Sequence, residues 1–166
     1  GGTYVFDTGG FYTEKENTEN TGLGTIIPYL NYYGINSITA LFISHPDMDH
    51  SYGALELIEN IDIGNIFVAD FDYGDNAIYN EIISSAQYKN IPVSKIKAGD
   101  SALLSGGINI DCLYPITTPV FDEVDTNKGS LVLKLTCGSV SVLFTGDVDI
   151  DVENFLMTAN CHMECD

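Results

Sequence analysis

Between positions 41 and 50 an apolar strand runs directly into a loop crowded with metal-ligating side chains. The stretch is Leu41-Phe42-Ile43-Ser44-His45-Pro46-Asp47-Met48-Asp49-His50, in which four of the last six residues are His or Asp. The apolar run over residues 38–44 reads as a strand buried on both faces, which commits the chain to a layered sheet structure. Pro46 keeps His45 out of helical geometry, so the chain must turn before the next helix begins. Asp49 or Ser51 is then a suitable N-cap for that helix. Imidazoles and carboxylates on so short a loop are left unsatisfied unless something positive lies between them, and no Lys or Arg is nearby. A divalent cation resolves the conflict, and this mixture of donors suits zinc, iron or manganese. A calcium loop of the EF-hand type starting at Asp47 is excluded, because Tyr52 and Ile58 stand where Gly and Glu are required.

The rest of the pattern alternates helices with strands. Residues 3–6 form a short β-rich run ending in Asp7-Thr8-Gly9-Gly10. Residues 13–21 are polar and read as a surface loop. Leu23, Ile26, Ile27, Leu30 and Tyr33 recur at helical spacing until Gly34. A helix over Ala54–Ile58, a strand over 66–69 and a helix over 77–88 follow. The remainder reads as strands over 93–96, 102–104 and 108–113, then a hairpin over 131–136 and 140–144 that turns at Gly138, and a last helix over 152–157. Strands mixed with helices imply an α/β layered fold with a mixed sheet. The 166 residues amount to one domain.

The hairpin leads into Thr145-Gly146-Asp147, a strand end that presents a carboxylate after a glycine able to permit close backbone approach. A strand-end Asp is often only a turn residue. Its significance here comes from pairing with the first loop.

Charge narrows the partners. Six basic residues stand against 24 acidic ones, a net charge of −18. Such a surface repels nucleic-acid backbone and attracts cations. No run of eighteen apolar residues exists, so nothing in the sequence reads as a membrane span. The four cysteines are too few and too scattered for a disulfide scaffold. Cys161-His162 with Cys165 admits a small zinc site but lacks a fourth ligand.

His45-Pro46-Asp47-Met48-Asp49-His50 resembles the H-x-H-x-D-H metal motif of the metallo-β-lactamase superfamily, with Asp47 in place of the middle histidine. Asp7-Thr8-Gly9 is similar to that superfamily's first aspartate motif, and Thr145-Gly146-Asp147 to its bridging-aspartate motif. The H-x-D-x-D-H form, together with Asn127-Lys128-Gly129-Ser130-Leu131-Val132-Leu133, resembles the hydrolase domain of ComEC-type DNA-uptake competence proteins. The resemblance implies a metallo-β-lactamase-like αββα sandwich truncated at both ends. The first strand and a late His-His-Gly-Ser motif would lie outside residues 1–166, and the usual third-motif histidine is absent.

It further implies two divalent metals, zinc or manganese, in a complete domain, with the second site incomplete in this piece. His45 and Asp47 would hold one metal, Asp49 and His50 would contribute to the other, and Asp147 would bridge. Asp49 and Asp47 would act in catalysis, with Asp49 orienting a metal-bound hydroxide. Asp7 would place the loop backbone or a ligand imidazole. Asn127 and Ser130 would meet a phosphate or a loop carbonyl, or only shape the turn before the hairpin.

The expected activity is metal-dependent hydrolysis of a phosphodiester, DNA included. Two alternatives stand beside it: hydrolysis of a lactam, thioester or lactone, and a catalytically silent metal-binding module. A membrane channel domain of the same polypeptide is an expected partner. The compartment would then be the extracytoplasmic face of a bacterial membrane, and otherwise the cytoplasm or the exterior.

Overall fold

The computed structural model describes residues 1–10, 22–116, 125–159, 163 and 165. The polar loop expected over residues 13–21 lies outside them, as do Cys161 and His162 of the small zinc candidate.

Two four-stranded sheets form the centre. The first comprises β1 (Tyr4–Phe6), β3 (Ala40–Ile43), β5 (Ile66–Ala69) and β6 (Val93–Ile96), in that spatial order. All its pairings are parallel. The second is antiparallel, in the order β10 (Val140–Phe144), β9 (Val132–Cys137), β8 (Ile108–Tyr114), β7 (Ser101–Leu104). A small parallel pair, β2 (Ser37–Ile38) with β4 (Asp62–Ile63), lies apart. The segment read as one strand over residues 38–44 is therefore two strands, because the chain changes sheets around Thr39.

Side-chain alternation along the parallel strands assigns each residue to one of two cores. Leu41, Ile43, Ile66 and Val68 point one way, onto α1 (Ile27–Tyr32), α3 (Gly53–Asn60) and α4 (Ala77–Tyr88), where they meet Leu30, Leu57, Ile58 and Ile82. Ala40, Phe42 and Ala69 point the other way and pack on Ile110, Cys112 and Leu133 of the antiparallel sheet. Across that interface Phe144, Phe6, Phe42 and Phe67 form a continuous stack, with centroids 4.1, 4.6 and 4.9 Å apart. On the far side α5 (Ile150–Thr158) seals Tyr114 and Val132 with Val152 and Leu156. The layers are helix, sheet, sheet, helix: an αββα sandwich.

Local chemistry explains where the helices start and stop. A π-helical turn over Gly22–Ile26 leads into α1. Gly34, at φ +67°, ends α1: the Gly34 N–H donates to Asn31 O and the Ile35 N–H to Leu30 O. These are the paired bonds of a Schellman cap. Asn90, at φ +58°, ends α4 in the same way through Ala86 and Gln87. Asn76 caps the start of α4 by accepting from the Tyr79 N–H, and Asp149 caps α5 by accepting from Asp151 and Val152. Each cap is worth about 1 kcal/mol. Among the described residues no helix is long and apolar enough to cross a membrane.

Candidate metal centre

Parallel strands all end on the same rim of their sheet, so the loops after β1 and β3 emerge side by side. The antiparallel sheet presents the start of β9 and the end of β10 at that same rim. One backbone bond joins the sheets there, from the Leu131 N–H to Ser44 O at 2.9 Å. Gly146 completes the join. It lies at φ +54°, and a Cβ on it would stand 2.9 Å from Ser44 Cβ and 3.0 Å from Ser130 Cβ. The Asp147 N–H donates to Ser130 Oγ at 3.3 Å. Ser130, fully buried, thus holds the aspartate loop.

Gly146→Ala combines that crowding with a left-handed backbone, so we expect it to destabilise the fold by about 1–3 kcal/mol. Urea denaturation checks this. An unchanged midpoint would show that the two serines can yield.

The loop after β3 turns as Pro46 requires and enters a single helical turn, α2 (Met48–Ser51). Neither Asp49 nor Ser51 caps it. Asp47 occupies the cap position in extended backbone, without a side-chain cap bond, and Ser51 Oγ donates to the Asp47 carbonyl. The reason is geometric: the helix begins directly behind Pro46-Asp47, which leaves the Asp47 carboxylate free of capping duty. The loop is pinned from β1 as well. The Thr8 N–H and hydroxyl both donate to His50 O, at 2.7 and 3.1 Å.

The two imidazoles lie against each other, ring centroids 4.3 Å apart. His45 is 1% exposed. Its Nδ1 is 2.9 Å from Ser44 Oγ, while its Nε2 is buried without a hydrogen-bond partner among the described residues. Among the described residues the nearest acid to that nitrogen is Asp47, with Oδ2 at 3.7 Å, beyond hydrogen-bond range. Burial, assisted by the neighbouring His50, holds the His45 pKa below its ordinary value against the pull of Asp47, Asp7 and Asp147. His50 behaves oppositely. Burial again disfavours its charged form, but the Asp7 hydrogen bond and the charges of Asp7, Asp147 and Asp49 outweigh it and raise the pKa. His50 Nδ1 lies 2.9 Å from Asp7 Oδ2, and His50 Nε2 lies 3.2 Å from Asp147 Oδ1 and 3.9 Å from Asp49 Oδ2.

Ligand atoms of His45, His50 and Asp147 all fall within 4.8 Å of one another. Asp47 and Asp49 stand at the edge of this cluster, their side chains 38% and 72% exposed. Asp7, at φ +52°, reaches back beneath it and accepts from the Ser44 N–H at 2.7 Å, the Ser44 hydroxyl at 2.7 Å and His50. Asn127 begins a 3₁₀ turn (Asn127–Gly129) before β9, and its Oδ1 is buried without a partner among the described residues. The Gly129 carbonyl of that turn accepts from the buried Tyr73 hydroxyl at 2.7 Å. Sequence reading assigned no part to Ser44, Thr8 or Tyr73. A hydroxyl directly before a candidate ligand histidine was the available signal for Ser44.

The donor set fits a divalent cation. A buried imidazole nitrogen with no partner is costly to keep, and here it faces carboxylates with no basic side chain between them. Imidazole with carboxylate is the donor chemistry of zinc, iron and manganese.

A family model described as the metallo-beta-lactamase superfamily matches residues 1–162. The chain belongs to that superfamily. Within it, the chain is similar to ComE operon protein 3 of Bacillus subtilis (strain 168), with 24% identity over 173 residues that cover 99% of this chain. Competence protein ComA of Neisseria gonorrhoeae is 24% identical over 132 residues, or 80% of this chain. The matched region spans only 22% and 16% of the length of those two relatives. A solved Thermotoga maritima protein, assigned to the metallo-beta-lactamases, shares the fold with a TM-score of 0.54 at 18% identity, covering 92% of this chain and 87% of that one. The αββα fold is thus that of a superfamily of metal-dependent hydrolases, and the described residues include a His/His/Asp cluster suited to a metal ion.

Proposed function

We propose that this metallo-beta-lactamase-superfamily chain is a metal-dependent phosphodiesterase of the DNA-uptake competence type. In this reading it is part of one domain in a longer polypeptide that also carries a membrane channel domain. The observation that carries it is the convergence of His45, His50 and Asp147 on one point, with the His45 Nε2 otherwise unpartnered. Similarity to competence proteins supports DNA as the substrate class in this reading.

His45 and Asp47 would hold one divalent metal, Asp49 and His50 would contribute to a second, and Asp147 would reach both. Such ions, zinc or manganese, supply a nucleophile from water at neutral pH and steady the oxygens of a phosphoryl group. The chain's own residues do the rest. Asp7 holds the His50 ring and the Ser44 backbone in place, so the loop arrives already ordered. Asp49, the most exposed carboxylate of the group, would orient the attacking water and accept its proton. Asp47 stands beside it at the mouth. Ser130 fixes the Asp147 backbone, and the Asn127 Oδ1 awaits a donor near the same turn.

Cleavage of single-stranded DNA and of a bis-aryl phosphate, with Mn²⁺ or Zn²⁺ added, tests the reading. Turnover that disappears with chelator is the expected result. No cleavage under either metal ends the phosphodiesterase proposal. The strongly acidic surface, net −18, favours a second reading in which the substrate is a small lactam, thioester or lactone. Chromogenic substrates of those classes, run beside DNA, separate the two. Metal bound at full occupancy with no turnover on any of them would identify a silent metal-binding module.

Metal affinity should depend on pH through His50. The raised pKa of His50 means a proton must leave Nε2 before that atom can ligate. His45 is held neutral and carries no such handicap. Below the His50 pKa, Zn²⁺ affinity is expected to fall by about tenfold per pH unit. Calorimetric titration across the neutral range checks this. A flat profile would show that His50 is not a ligand.

A further inference from the structure

We propose that Ser44 is a positioning residue whose hydroxyl fixes the tautomer of His45, so that one carboxylate, Asp7, sets the ligating face of both imidazoles. Ser44 Oγ lies 2.7 Å from Asp7 Oδ2 and 2.9 Å from His45 Nδ1. A carboxylate can only accept, and a serine hydroxyl has one proton to give. That proton goes to Asp7. Ser44 Oγ can then meet His45 Nδ1 only as an acceptor, so Nδ1 carries the hydrogen and donates it.

A neutral imidazole has one N–H, which leaves the His45 Nε2 as a bare lone pair. That is the buried nitrogen with no hydrogen-bond partner. Its isolation follows from the relay: had Nε2 kept the proton, Nδ1 and Ser44 Oγ would confront each other as two acceptors at 2.9 Å. Once its Nε2 proton has left, His50 reaches the same state directly, donating from Nδ1 to Asp7 Oδ2 and turning Nε2 towards Asp147. Asp7 therefore reaches one ring through a hydroxyl and the other without an intermediary.

The environment keeps the relay intact. Ser44 is 7% exposed and His45 1%. The Ser44 N–H also donates to Asp7, on Oδ1 at 2.7 Å, so the carboxylate clamps the serine at two points. Gly146 lies directly over Ser44 Cβ, which leaves the residue little room to turn. Removal of the hydroxyl frees Nδ1 of its acceptor and lets the proton move to Nε2, where it blocks the lone pair.

The consequence for metal rests on the reading of His45 as a ligand, but the tautomer does not. ¹⁵N chemical shifts of the His45 ring in the metal-free protein therefore test the relay alone. The expected spectrum has a protonated Nδ1 and an unprotonated Nε2. In Ser44→Ala the proton should appear at Nε2 in a substantial fraction of molecules, while the His50 ring is unchanged. Ser44→Thr, which keeps the hydroxyl, should restore the wild-type pattern.

Zn²⁺ affinity by calorimetry should fall about 10-fold or more in the alanine variant and return in the threonine variant. A wild-type ring protonated at Nε2, or an alanine variant that keeps both the Nδ1 proton and full Zn²⁺ affinity, overturns the proposal. The wild-type spectrum decides even if the alanine variant fails to fold. A tautomer that shifts as expected in a protein that binds no Zn²⁺ would leave the relay standing and remove the metal-centre reading instead.

Discussion

In the proposed phosphodiesterase, replacing His45 with alanine is expected to lower metal-dependent turnover by on the order of 10³-fold. A metal that polarises a phosphoryl oxygen contributes several kcal/mol to the transition state, and each 1.4 kcal/mol or so is tenfold in rate. His45 is the ligand candidate for which a merely structural role is hardest to sustain. It is buried, held neutral, and its Nε2 has no other partner. The stability readout makes the test sharper. A cation that binds only the folded chain adds about 2.7 kcal/mol at a hundred times its dissociation constant. The wild type should therefore melt at a clearly higher temperature with Zn²⁺ than without, and His45→Ala should lose most of that increment. Without metal the substitution removes an unsatisfied buried nitrogen along with some packing, two effects of opposite sign. A variant that keeps both turnover and the Zn²⁺ increment would remove His45 from the site.

Phe42→Ala is expected to be the most destabilising single change in the core, by about 3–5 kcal/mol. Phe42 is 3% exposed and sits in the middle of the four-ring stack, between Phe6 and Phe67. Its removal takes away contacts with both neighbours and opens a void between the two sheets that neither backbone can close. For a chain of this length the loss should lower the melting temperature by about 6–20 °C. Leu103→Ala, on a side chain that is 76% exposed, provides the comparison; surface changes of that kind stay within about 0.5 kcal/mol. Calorimetric melting measures both. Equal shifts would mean that the sheet interface is not the cooperative core.

Much of the architecture was legible because periodicity is a local property. The strand over Ile66–Ala69, the helix over Ala77–Tyr88 and the strand over Val140–Phe144 stand where the apolar pattern put them. Gly34 and Gly138 stopped a helix and turned a hairpin for the conformational reason that makes glycine suitable at positive φ. Local pattern was silent where a neighbour decided. The split at Thr39 depends on which sheet each half joins, and the cap of α2 fell to Asp47 because the helix begins directly behind it.

The candidate site divides along the same line. Residue types alone placed ligand chemistry at positions 45 to 50, since imidazole and carboxylate side chains in that density demand a positive partner. That Asp147 reaches them from across the sheets came from the family resemblance rather than from any spacing. The contact itself depends on a backbone bond between Leu131 and Ser44, and on a glycine small enough to lie over Ser44 and Ser130.

What the sequence determined by itself was chemical: the donors, their crowding on a loop behind an apolar strand, and an acidic surface with too few basic residues to neutralise it. What only the tertiary structure decided was direction. Asp7 faces Ser44 and His50 through a left-handed turn, and each ring nitrogen acquires a separate partner or none. Hydrogen-bond direction depends on atoms brought together from positions 7, 44, 50 and 147, and chain order carries no record of which lone pair will be left facing inward.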